Sequence, residues 1–130
     1  MRKKLAVLLA GLGLLCSAAP VVAHHSVAGE YDQTKQVTVK GTVSKVEWTN
    51  PHSRIYVDVT EANGKVTTWN FELAARSALT RQGWTGKSLK IGDTVTVAGD
   101  AARSGVSGAH ATSVIRADGS KVFVGANSDN

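Results

Sequence analysis

Sulfur is almost absent from this 130-residue chain: one cysteine, Cys16, and one methionine, Met1, both close to the start. A disulfide framework is therefore excluded, and so is a soft sulfur site of the kind that selects Cu(I). Proline is scarce, with 2 residues, and the 13 glycines follow no regular period, so collagen-like and proline-rich classes are excluded too. Aromatic residues make up only 5%, which makes each large ring valuable to a small core. No apolar run reaches the about 20 residues that a membrane-spanning helix needs.

What is present begins with a three-part secretory pattern. Arg2, Lys3 and Lys4 precede the apolar run from Leu5 to Leu15, and small residues lead to Val21-Val22-Ala23. Cleavage after Ala23 is expected, giving a periplasmic or secreted protein with no membrane span. It would remove both sulfur residues and lower the formal charge from +5 to +2, because the leader holds three basic residues and no acidic one. Leu15 before Cys16 does not fit a lipoprotein signal. A residual charge of +2 lacks the basic stripe of a nucleic-acid-binding face, so no nucleic-acid partner is expected.

The remainder divides into an N-terminal segment (24–36), a β domain (37–124) and a short tail (125–130). Val37, Val39, Gly41 and Val43 share one phase, whereas Val46 and Trp48 share the other. A bulge near Ser44-Lys45 would produce that slip. Ile55, Val57 and Val59 alternate with polar residues, Asn63-Gly64 reads as a two-residue type I′ hairpin, and Trp69, Phe71 and Leu73 alternate in the next strand. A short helix follows over 74–82, ended by Gly83. A Leu89–Asp93 turn leads to a fourth strand ending near Ala101, and a fifth runs over 109–116. Three meandering strands, a helix and two more strands predict an all-β fold with one short helix, a five-stranded OB-fold-like barrel.

The chain resembles a family of small exported bacterial proteins of unknown function. The likeness rests on Ala23-His24-His25-Ser26 and Trp48-Thr49-Asn50-Pro51-His52, with further matches at Trp69–Leu73, Arg81–Trp84 and Leu89–Asp93. The resemblance implies export and a shared small β fold, and no activity. His110 is not part of the shared pattern.

Four histidines are the candidates for chemistry. Cleavage after Ala23 would give His24 a free amine beside its own imidazole, both deprotonated near neutral pH under a metal's pull. With His25, or with His52 in the turn after Asn50-Pro51, these nitrogens suit copper(II) or another divalent metal. The fold would bring His110, past the loop between strands four and five, to the same rim. The bland alternatives are a solvated N-terminal tail and a turn histidine bonded to backbone. Trp48 and Tyr56 flank the His52 loop and could stack on a ligand, or simply pack. Glu47, Asp58, Glu61 and Glu72 form no recognisable catalytic pair, and no nucleophile elbow or phosphate loop is present, so nothing marks an enzyme. The competing reading is a metal-free OB-type module that binds an envelope protein, another envelope component or a small ligand.

Overall fold

The computed structural model describes residues 27–124; the expected leader, His24, His25 and the tail from residue 125 lie outside the described residues. Helical residues 27–30 run into strand β1 (Tyr31–Glu47), followed by β2 (Arg54–Thr60), β3 (Val66–Glu72), helix α1 (Arg76–Arg81), β4 (Thr94–Ala102), β5 (Gly108–Arg116) and β6 (Lys121–Val124). The protein is thus all-β with little helix. Among the described residues no helix is long and apolar enough to cross a membrane.

The strands form one sheet in the order β3-β2-β1-β4-β5-β6, with β3 also pairing β5. All neighbours are antiparallel except β3 and β5, whose parallel ladder has three residue pairs: Asn70 with Gly108, Phe71 with Ala109 and Glu72 with His110. The pairings therefore return on themselves through β1, β2, β3, β5 and β4. Val43, Ile55, Val57, Phe71, Leu73, Val95, Val97 and Val114 fill the enclosed space, all 0–1% exposed. Leu79 of α1 and the nearby Trp84 join them from one end.

The change of phase in β1 is a bulge. Its register with β2 shifts between Val43 and Lys45, which returns an apolar side chain to the core after one extra residue. The turn before β4 is clipped to that point, since Val43 N–H donates to the Asp93 carbonyl and Gly92 N–H to the Val43 carbonyl, both at 2.8 Å.

Three features differ from the sequence reading. β1 starts at Tyr31, six residues before Val37, because a register shift between Asp32 and Gln36 leaves residues 33–36 exposed and removes the alternation that would betray a strand. β6 is a sixth strand, paired with β5, where the sequence reading expected five. The hairpin at Asn63-Gly64 is not type I′, which needs positive φ at both central residues. Only Gly64 has it, at 82°, and its N–H donates to the Glu61 carbonyl at 2.9 Å. That geometry is a turn over 61–64 closed by a left-handed glycine. The helix end matches expectation: Gly83 has φ 88°, and the Trp84 N–H reaches back to the Leu79 carbonyl at 3.0 Å.

Candidate functional site

One buried polar group on the sheet is a carboxylate with several partners. Glu72, the last residue of β3, is on the opposite face from Phe71 and Leu73, yet it is only 3% exposed. A buried carboxylate needs partners, and three surround it. The Tyr31 hydroxyl donates to Oε2 at 3.1 Å, and an Arg54 guanidinium nitrogen donates to the same oxygen at 2.7 Å. Nδ1 of His52 lies 3.6 Å from Oε1, an ion-pair distance rather than a hydrogen bond.

Strand register explains the meeting. Arg54 is the cross-strand partner of Glu72 on β2, and His110 is its neighbour on β5. Side chains of paired residues emerge on one face. Tyr31, at the head of β1, reaches across to Glu72 and sets its ring 5.6 Å from that of His110. Asp100, paired with His110 from the other side, accepts a hydrogen bond from the Gln36 side-chain amide. A second nitrogen of Arg54 reaches Asn70 Oδ1 at 3.3 Å.

The loop carrying His52 is held at several points. Ser53, 1% exposed, ties to Leu73 and Ala74 through backbone bonds of 2.8 and 3.1 Å. Thr49 donates its hydroxyl to the His52 carbonyl at 2.9 Å, and the Asn50–Pro51 peptide is cis. His52 is thus fixed at its backbone, while its side chain keeps 40% exposure.

Of the four candidate histidines, His52 and His110 are brought to the surroundings of one carboxylate. His24 and His25 lie outside the described residues. The described chain nevertheless enters at this place: Tyr31 is bound to Glu72, and the residues before it are fastened by Arg103. The Arg103 N–H donates to the Glu30 carbonyl at 2.9 Å, and its Nε donates to the Ala28 carbonyl at 3.1 Å. Among the described residues no group of three His, Cys, Asp or Glu side chains is placed to hold a metal ion.

Trp48 and Tyr56 occupy other surroundings. Trp48 stacks on Trp84, with centroids 6.4 Å apart and planes at 11°, and closes over Gly86. Lys45 places its ammonium 4.9 Å from the centre of the Tyr56 ring. The sequence reading missed Tyr31 and Arg54, and it left Glu72 as an ordinary polar position. Alternation gives Glu72 its face but not its cover, which comes from residues 18 and 41 positions away.

Burial, reinforced by the Glu72 carboxylate, pushes the Tyr31 phenol up to about 12. The raised value means that the folded state holds the phenol proton more tightly than the unfolded chain, whose tyrosines ionise near 10. This contribution to stability is intact below about pH 10 and is lost as pH rises through about 12. Alkaline titration followed by phenolate absorbance should give a late step that disappears in Tyr31→Phe. If the late step persists in that variant, Tyr31 is not the group responsible.

The fold and this polar cluster define a small all-β protein with a buried carboxylate hub. The model of a family of unknown function, DUF6152, matches residues 10–111, and the chain belongs to that family. No curated protein and no solved structure matches it.

Proposed function

We propose that the protein is exported, periplasmic or secreted, and that its OB-type barrel binds one copper(II) ion, or another divalent metal, through histidine nitrogens at the Glu72 cluster. The circuit of pairings, with three strands in meander and β5 returning parallel to β3, supports the barrel reading; β6 is an addition to it.

One observation carries the metal reading: His52 and His110, far apart in sequence, come to the same buried carboxylate. A histidine that ligates a metal through one ring nitrogen commonly presents the other to a carboxylate, which fixes the ring and raises its basicity. Glu72 faces Nδ1 of His52, leaving Nε2 as the metal-facing nitrogen. His24 and His25 precede the Tyr31 entry point by only a few residues, each able to span about 3.3–3.6 Å. The amine and ring of His24 would supply a chelate, and His25 or His52 the further nitrogens that a tetragonal ion prefers.

Mass spectrometry of the exported protein should give His24 as its first residue. Titration of that protein with Cu(II) should yield an electron paramagnetic resonance spectrum with nitrogen coupling. Adding one glycine before His24 keeps every side chain but removes the amine chelate, and affinity should fall about tenfold or more. His52→Ala should lose one nitrogen coupling. Equal binding by the native and extended proteins would refute the amine site, and an unaltered spectrum in His52→Ala would detach the metal from this loop. In the metal-free module reading, chelator leaves the melting temperature and partner binding unchanged.

A further inference from the structure

A second site has no histidine in its lining. Between the β4–β5 loop, the exposed start of β1 and β3 there is an open cavity of about 420 Å³, bordered by Asp32, Lys35, Trp69, Arg103, Val106 and Gly108 among others. The geometry points to a binding site for an acidic sugar unit within a longer glycan chain. This inference does not depend on the metal reading.

Trp69 supplies the platform. It shares the inward phase of Phe71, and its ring stacks on that residue with centroids 5.9 Å apart and planes at 17°. Phe71 is fully buried, whereas Trp69 is only half-buried and borders the cavity. A broad indole fixed in this way offers a rigid apolar surface at little entropic cost, which suits the apolar face of a sugar ring. Val106, 64% exposed, extends that surface.

The charge is cationic on balance. Asp32 is the only anion among the bordering residues, and it is already committed. Its Oδ1 accepts from the Thr34 N–H and hydroxyl at 3.0 and 2.7 Å, and its Oδ2 lies 3.6 Å from Arg103. Apart from its Coulombic pull on Asp32, the exposed Lys35 makes no hydrogen bond or salt bridge among the described residues, and its ammonium can turn to a ligand carboxylate.

The form of the cavity selects a chain rather than a free small molecule. Sites for small ligands cover most of the ligand's surface, about 70–90% of it. This one is open to solvent along one side, so it can seat one unit while its neighbours run outward. A carboxylated ring stacked on Trp69, with its charge at Lys35, uses both the aromatic wall and the cation.

The test is calorimetric titration of the mature protein with an oligogalacturonate, with its methyl ester as the uncharged twin and a polyglutamate of similar length as the peptide arm. The acidic glycan should bind, and its ester about tenfold or more weakly, the loss of one charge-assisted contact. Lys35→Glu, on an exposed residue that leaves folding intact, should weaken binding by about tenfold or more through reversal of the same contact. Trp69→Phe should also weaken it; should that variant unfold, Lys35→Glu decides. No heat from the oligogalacturonate, equal binding of acid and ester, or an unchanged affinity in Lys35→Glu would overturn the proposal. Polyglutamate binding as tightly as the glycan would overturn it in favour of an acidic peptide.

Discussion

Gly99→Ala is expected to unfold the protein, or to cost more than about 3 kcal/mol, although it adds a single methyl group. Gly99 sits in β4 where the register with β5 shifts, and a Cβ there would lie well inside contact distance of the His110 carbonyl oxygen. The obstacle is backbone, so no rotamer change relieves it. The strands would have to part and give up part of their ladder. Gly41 stands in the same relation to β2, with a Cβ directed onto the Asp58 carbonyl, and Gly41→Ala should behave alike. Gly29→Ala is the control, because nothing lies within 4 Å of its Cβ position. Urea denaturation of the three variants checks this: a Gly99→Ala midpoint close to the control's would mean that β4 and β5 are not in such close contact.

Glu72→Ala is the second large effect, expected to cost about 3 kcal/mol. The change removes a carboxylate that is almost wholly covered and strands two partners, the Tyr31 hydroxyl and the Arg54 guanidinium. Breaking a buried pair from one side costs more than the pair contributes, since the surviving charge keeps its desolvation penalty. Arg54 retains 30% side-chain exposure, so water compensates in part and the lower end of the usual range applies. Glu72→Gln keeps the volume and one acceptor and should cost about half as much. If Glu72→Ala and Glu72→Gln unfold at the same urea concentration as the parent, the cluster contributes nothing to stability.

Much of the strand order was legible because it depends on local features. Valine alternation marks the second half of β1 and the first half of β4, and the bulge at Ser44 declares itself as a change of phase. Gly83 ends the helix through its left-handed conformation. The beginning of β1 was hidden because the shift between Asp32 and Gln36 breaks the period of two where the strand is also exposed. Gly41 was legible only as a member of the inward phase, whereas its role is to let β2 approach.

The site was legible only in its histidines. That His52 and His110 share a rim followed from loop positions, but their common carboxylate did not. Glu72 is covered by Tyr31, whose own strand was not recognised, and by Arg54, whose register across β2 and β3 depends on a turn read as the wrong type. Trp69 was legible as an inward residue. That it stops short of full burial depends on the β4–β5 loop, which no periodicity describes.

The placement of β1 has a consequence for how the chain comes together. It is the central strand, bonded along one edge to β2 and along the other to β4. Its β2 partners follow closely, but residues such as Val39 and Val97 pair although about sixty positions separate them. A chain made from its N-terminus therefore completes β1, β2 and β3 while the other edge of β1 has no partner, an open template for another unfinished chain. Closing so long a loop is slow compared with forming a hairpin. The polar residues along the waiting edge, Thr38, Lys40 and Thr42, turn outward from Val39 and Gly41 between them and keep that edge hydrated until β4 arrives.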